Sequence, residues 1–504
     1  MPSDTNTRQR KRNIIFVHPD LGIGGAERLI LDAALVLQAR GHHVIIYTSH
    51  RDPTHCFDEA RDGTLDVRVR GNSIFPAHVG GKLHVLMAIL RQLHLSVALL
   101  REGKQGRNKV ERRVEDSPRK ENKGVENGQP EDEVFIVDQL PACIPILKMI
   151  GPWAAASGTQ MQRILFYCHF PDQLLARRNQ GSWLIRLLKA CYRYPFDLFE
   201  GWAMSGSDKV VVNSNFTRGV ATEVFGNGLG DVKVVYPCVD TEVKKGVAKD
   251  VNINGGGKLW NGLKVVLSIN RFERTKDIAL AIRAYHGLGT EERKGTRLVI
   301  AGGYDNRVQE NVQYHKELDA LATSLGLQTA TSKTVISALS IPDSVDVLFL
   351  LSVPTAFKET LLSSAKLLVY TPPREHFGIV PVEAMYAGLP VLAANTGGPL
   401  ETITEGETGW LRNVNSTNEW TEVMKKALWS TKEEDLARMA RNGKARVEKE
   451  FSRHAMGESL EKEIQQMFDV DRRPFIDIQQ LVLGVALVGA VMAGVITMAL
   501  KVSS

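Results

Sequence analysis

Asn13-Ile14-Ile15-Phe16-Val17-His18-Pro19-Asp20-Leu21-Gly22-Ile23-Gly24-Gly25-Ala26-Glu27-Arg28 sets the architecture of the chain. Asn13–His18 is apolar enough for a strand buried on both faces, and Leu21–Gly25 is a glycine loop. Ala26–Arg40 then places apolar residues at helical spacing. Gly41 closes that helix, and His43–Thr48 opens a second strand. Strand, loop, helix, strand is the beginning of a parallel α/β sheet. Further strands are expected at Glu133–Asp138, Arg163–Tyr167, Lys209–Asn213 and Val232–Tyr236. After the Gly-rich stretch Asn252–Gly262 the pattern starts again. Lys264–Ile269 and Arg297–Ala301 read as strands, and Val345–Ser352, Lys366–Tyr370 and Leu389–Asn395 as short strands or turns, interleaved with helices such as Ala356–Ser364 and Val380–Ala387.

With 504 residues the chain exceeds the size at which one core keeps growing. The expected fold class is therefore α/β, with two Rossmann-like domains facing a cleft. Their expected bounds are a flexible N-terminus at 1–12, a first domain at 13–250, a linker at 251–262 and a second domain at 263–450. A closing helix and membrane approach follow at 451–479. Leu481–Leu500 holds twenty residues with only Thr497 polar, so one C-terminal transmembrane helix is expected at 480–500. Arg472 and Arg473 precede it, which orients the large domains to the cytosol.

The 63 basic and 57 acidic residues leave a net charge of +6, too little for a nucleic-acid footprint. Five scattered cysteines without close pairing argue against a disulfide framework and a structural zinc site. The stretch 101–133 carries nine basic and nine acidic residues and reads as a charged, flexible insertion. Leu83–Leu100 and Trp183–Phe199 are apolar helices with scattered cations. Such helices either pack on a sheet or lie at a membrane interface.

The chemistry concentrates in the second half. Pro381 suits the first turn of a helix, so Phe377, Gly378 and Ile379 offer amides near a helix N-terminus, where phosphate oxygens bind. Glu375 and Glu383 flank those amides and are able to accept hydrogen bonds from sugar and ribose hydroxyls. An acidic helix cap is the plainer reading of the same pair. Arg271 and Lys276, just past a strand, supply cations for a diphosphate. Gly302-Gly303 either admits a nucleotide or makes a tight turn. In the first half, Gly22, Gly24 and Gly25 form a loop suited to closing over a substrate. His169 follows a strand, where Asp172 is placed to orient it or to act on an acceptor hydroxyl. A structural histidine is the alternative.

Taken together, Val17–Leu29, Cys168–Asp172, Asn270–Arg274, Glu375–Gly378 and Glu383 resemble the GT-B glycosyltransferases of family 4. Within them they resemble the fungal dolichol-pathway α-1,3/α-1,6-mannosyltransferases. Thr275 departs from the relatives, where a second basic residue is common before the lysine, and the charged insertion is longer than usual. The resemblance implies a retaining transfer from GDP-mannose to a dolichol-diphosphate-linked oligosaccharide in N-glycan assembly, with no cofactor and no catalytic metal. It implies that Arg271 and Lys276 bind the diphosphate, Glu383 the ribose and Glu375 the mannose. His169 would touch the donor sugar. The Gly22–Gly25 loop, with Gly24 and Gly25 on the donor and Gly22 and Asp172 on the acceptor, would lie opposite. Implied surroundings are the endoplasmic reticulum membrane with its cytosolic face, membrane lipid, other glycosyltransferases of the pathway, and no nucleic acid. A different membrane-bound lipid glycosyltransferase, or a non-catalytic tethered scaffold, is the alternative.

Overall fold

The computed structural model describes residues 10–71, 74–79, 83–107, 132–155, 161–175, 182–241 and 259–471. They divide into two compact units. The first contains the chain up to Asn213, Thr217–Val235 and the return from Met456 onward; the second contains Ser214–Phe216 and Tyr236–Ala455.

In the first unit, β1 (Asn13–Leu21), β2 (His43–Arg51), β3 (Asp66–Val69), β4 (Glu133–Asp138), β5 (Gln162–Cys168), β6 (Lys209–Val212) and β7 (Lys233–Val234) form one sheet. The order is β3-β2-β1-β4-β5-β6-β7, and every pairing is parallel. Parallel neighbours need crossovers that cover both faces of a sheet. This is why Ile14–Val17 and the whole of β4 are buried. The helix Gly25–Ala39 buries Leu29, Ile30, Leu31, Ala33, Ala34, Val36 and Leu37. Late in the chain, Met456, Leu460, Ile464 and Met467 recur at helical spacing and are buried on the same unit. The Arg163 guanidinium there donates to the Met467 carbonyl at 2.6 Å, and Lys209 meets Glu463 at 2.9 Å.

The second unit repeats the scheme with β8 (Lys264–Ile269), β9 (Thr296–Gly302), β10 (Thr329–Ser332), β11 (Val347–Leu351), β12 (Leu367–Tyr370), β13 (Val391–Ala394) and β14 (Gly409–Arg412). Its order is β10-β11-β9-β8-β12-β13-β14, again parallel throughout. Strand order reverses between β1 and β4 in the first unit and between β8 and β12 in the second. In open α/β sheets a ligand crevice forms at the carboxyl ends of strands at such a reversal.

The structure corrects the expected transmembrane helix. Among the described residues no helix is long and apolar enough to cross a membrane. The expected span, 480–500, lies outside the described residues. A crossing helix needs about twenty predominantly apolar residues. The two long greasy helices do not meet that need, since His84–Arg107 carries Arg91 and Arg101, and Trp183–Ser205 carries Arg186, Lys189, Arg193, Asp197 and Glu200. The fold is therefore two α/β units, and the membrane placement with a cytosolic face, which depended on the span, is withdrawn with it. His84–Arg107 packs as a sheet-covering helix, with Leu95 and Leu99 fully buried.

The insertion also starts later than expected, because residues 101–107 continue that helix; 108–131 lie outside the described residues. Glu102 pairs with Arg68, whose side chain is completely buried and also meets Asp66 at 2.8 Å and the Tyr47 hydroxyl at 3.3 Å. Arg68→Ala would leave Asp66 and the Tyr47 hydroxyl without this partner, and Glu102 with Arg70 alone at 3.7 Å. A loss of about 3–5 kcal/mol is expected in urea unfolding, the range for breaking a buried pair from one side.

Candidate active site

The end of β12 runs into the loop that carries Glu375. Tyr370, the last residue of that strand, is buried, and its hydroxyl donates to Glu375 Oε2 at 2.7 Å. Lys276 lies in the single turn Arg274–Lys276 after β8, and its Nζ donates to the same oxygen at 2.8 Å. The Thr371 hydroxyl fixes that turn by donating to the Lys276 carbonyl at 2.8 Å. Burial by itself would raise the pKa of Glu375. The Lys276 ammonium and the Tyr370 hydroxyl outweigh it and hold the carboxyl below its ordinary value. Burial, and then the Glu375 charge, push the Tyr370 phenol well above its ordinary value, so it stays a donor.

The loop is braced on several sides. Gly398 N–H donates to the Glu375 carbonyl at 2.8 Å, the Thr396 hydroxyl to the Pro373 carbonyl at 2.6 Å, and the Ser214 hydroxyl to the His376 carbonyl at 2.5 Å. Phe377 is buried, its ring 5.7 Å from both Tyr236 and Phe451. Gly378 then turns the chain at φ 85° and caps the helix Ile379–Tyr386. A side chain is strained in that left-handed conformation. The first amides of this helix have no intrahelical acceptor. Glu383, one turn in, accepts from Lys358 Nζ at 2.7 Å through Oε1, while its buried Oε2 has no hydrogen-bond partner among the described residues.

Not all expected partners gather here in the same way. Arg271 is two-thirds exposed and pairs with Glu273 at 3.3 Å, although its charge also reaches Tyr370. Gly302 has a local reason to be glycine. At φ 151° a Cβ would lie 2.0 Å from the Asn270 carbonyl oxygen, where the ends of β8 and β9 approach.

In the first unit, His169 follows β5. Its Nε2 lies 2.9 Å from Asp138 Oδ2 at the end of β4, so Asp138, and not Asp172, orients the ring. Asp172 instead accepts from Arg193 at 2.7 Å, and its backbone N–H donates to Glu200 at 2.8 Å. Burial, reinforced by Asp172 and opposed by the amides of Asp172 and Gln173, pushes Glu200 up to about 7. Gly22 and Gly25 have open space where a Cβ would sit, and Gly24 meets only the flexible end of Glu27.

Residues 257–446 match the family model described as "Glycosyl transferases group 1". Over 462 residues the chain is 50% identical to the α-1,3/1,6-mannosyltransferase of Neurospora crassa, covering 91% of each chain. It is 42% identical over 478 residues to that of Kluyveromyces lactis, covering 92% of this chain and 86% of the relative. For the enzyme of Saccharomyces cerevisiae the identity is 41% over 472 residues, covering 91% and 85%. The chain belongs to the fungal α-1,3/1,6-mannosyltransferase family.

Solved structures support the fold alone. The mannosyltransferase is similar to sucrose-phosphate synthase from Thermosynechococcus elongatus, with a TM-score of 0.62 at 16% identity, covering 92% of this chain and all of that one. A glycosyltransferase from Rickettsia africae gives 0.58 at 15% identity, covering 92% of this chain and 100% of the other.

Several residues at these sites are not evident from the sequence. Tyr370 and Lys358 lack any local motif. His18 and Asp138 are separated by 120 positions and meet only because β1 and β4 are neighbours. Tyr370 yields a pH-dependent test in the mannosyltransferase. Because the pKa of Glu375 is depressed on folding, its stabilisation is present above the ordinary carboxylate value and is lost as pH falls through the folded one. Tyr370→Phe should therefore cost about 1–3 kcal/mol in urea unfolding at pH 7. That gap should narrow below about pH 4. A gap independent of pH would contradict the assignment.

Proposed function

We propose that the Lys276–Glu375–Tyr370 cluster, with the amides of Phe377, Gly378 and Ile379, is the donor site of the mannosyltransferase. The chain transfers mannose from GDP-mannose, in α-1,3 and then α-1,6 linkage, in the assembly of the N-glycan precursor. Its substrates are GDP-mannose and the dolichol-linked oligosaccharide. The acceptor in this reading is mannosyl-chitobiosyl-diphosphodolichol. Other glycosyltransferases of the pathway are its proposed protein partners, and nucleic acid is not a partner.

One observation carries the residue assignment. Lys276 and Glu375 neutralise one another at the strand-order reversal of the second unit, so the site already holds opposite charges at fixed spacing. A diphosphate arriving there competes for the Lys276 ammonium and releases Glu375 to accept from mannose hydroxyls. Arg271 swings from Glu273 to the second phosphate. The helix amides and Gly378 hold phosphate oxygens, with Gly302 flanking the nucleotide. The partnerless Oε2 of Glu383 suits a ribose hydroxyl, which would satisfy a buried acceptor.

Transfer is retaining and proceeds on one face. The bond from mannose C1 to the β-phosphate oxygen breaks through an oxocarbenium-like state. The bond from C1 to the acceptor oxygen forms on the same side. The acceptor's proton passes to the departing β-phosphate oxygen, whose charge Lys276 and Arg271 stabilise. His169 contacts the donor sugar, and Gly22, Gly24, Gly25 and Asp172 serve the diphosphate and acceptor. These two cations and the amides do the work of a Lewis acid, so no catalytic metal or other cofactor is needed.

Purified protein supplied with GDP-mannose and mannosyl-chitobiosyl diphospholipid tests this, with product mass and linkage determined. Lys276→Ala should lower transfer by about 10²–10³-fold in protein that circular dichroism shows to be folded, with a melt lowered by the loss of the Glu375 pair. A folded, fully active Lys276→Ala protein would remove the lysine from the mechanism. In a separate arm, turnover should persist in excess chelator. Loss of turnover that returns with a divalent cation would refute the metal-free reading.

A further inference from the structure

Three titratable side chains meet at the carboxyl ends of β1, β4 and β5. His18 is fully buried, and its Nδ1 lies 2.9 Å from both carboxylate oxygens of Asp138. Its Nε2 lies 3.1 Å from the Asp20 carbonyl oxygen. A carbonyl accepts only, and so does an ionised carboxylate, so both ring nitrogens of His18 carry hydrogen. His18 is thus an imidazolium matched to the buried Asp138 charge.

Asp138 Oδ2, one of the two oxygens that His18 meets, also receives His169 Nε2 at 2.9 Å. A neutral ring that donates from Nε2 has a bare Nδ1, and that atom has no protein partner among the described residues. The ring is fixed in place as well. Asn213 donates to the His169 carbonyl at 3.0 Å, and the Tyr167 ring packs against the imidazole, tilted by 40°, at 5.2 Å between centroids.

We propose that Asp138 and His18 are positioning residues for His169. Together they hold its ring with Nε2–H on Asp138, so that Nδ1 is the acceptor for a hydroxyl of the donor sugar. This rests on the reading of His169 as the residue that touches that sugar. The electrostatics agree with the geometry. Burial opposes a charge on His18, yet Asp138 raises its pKa, and for Asp138 the same burial is outweighed by the two histidines. The other groups around the cluster are few. Glu27 on the helix Gly25–Ala39 adds to the positive bias on His18. The Asp20 carboxylate is turned to Arg91 of His84–Arg107 at 2.6 Å, and burial pushes the Cys143 thiol up to about 12.

The test uses the full chain with ¹⁵N-labelled histidine. At pH 7 long-range proton–nitrogen spectra should show His18 doubly protonated and His169 carrying hydrogen on Nε2 alone. Hydrogen on Nδ1 of His169, or a neutral His18, would overturn the proposal. Asp138→Asn should lower kcat by about 10–10⁴-fold, by analogy with an aspartate that fixes a catalytic tautomer. KM for GDP-mannose should stay within about twofold, because the diphosphate is held elsewhere. A folded Asp138→Asn protein with unchanged kcat would also refute it.

His18→Gln supplies the second variant if Asp138→Asn does not fold. Asp138 would then draw its counter-charge from His169, and the acid limb of kcat should move to higher pH by about one unit. An acid limb that does not move contradicts the proposal. His169→Ala separates the two layers of the argument. Full activity in that variant would end the sugar-contact reading, while the wild-type spectrum still decides which tautomer Asp138 and His18 impose.

Discussion

Parallel strand pairing is the constraint from which the rest follows. It forces crossovers over both faces of each sheet, so side chains along the strands are sealed away from solvent. Polar chemistry is then confined to the strand ends, and the strand-order reversals at β1/β4 and β8/β12 determine which ends. His18, Asp138 and His169 gather at the first reversal. Lys276, Tyr370 and Glu375 gather at the second. Neither group is contiguous in the chain, and each is assembled by register alone.

The two sites handle buried charge in different ways. Glu375 is satisfied by two donors on one oxygen and remains a carboxylate despite burial. Glu383 is satisfied on one oxygen only. A buried acceptor without a donor costs free energy, so a ligand hydroxyl that fills it binds more tightly than its exposed equivalent. That contrast is the physical difference between a residue organised before the ligand arrives and one completed by it. Asp138 belongs to the first kind, since its carboxylate already meets two imidazoles.

Legibility in the sequence tracks how local each feature is. The glycine loop and helix after β1, and the Glu375–Glu383 turn, are read directly because strand, loop and helix lie within one short stretch. The edge strands Asp66–Val69, Thr329–Ser332 and Gly409–Arg412 are missed, being four residues long and only partly apolar. Asp172 looked like the partner of His169 because it is three residues away. The sheet instead delivers Asp138 from a neighbouring strand, and no spacing rule reaches across 31 positions. The apolar run near the C-terminus matched a membrane span by length. That run lies outside the described residues, and among the described helices apolar composition reflects packing, with Leu95 and Leu99 fully buried.

Charge placement also explains why the segment from Cys168 to Asp172 is stiff enough to present a ring accurately. Its histidine is fixed by Asp138 and Asn213. Three residues on, Glu200 takes the amides of Asp172 and Gln173, while Arg193 takes the Asp172 carboxylate. The segment is thus held at both ends by buried or half-buried polar groups from other elements. A hydrogen bond between such groups is worth little in net stability but much in geometry, because leaving either partner unsatisfied is costly. A side chain that must meet one hydroxyl of a small sugar gains from that arrangement. A displacement of about 1 Å at such a contact is enough to cost around a hundredfold in rate.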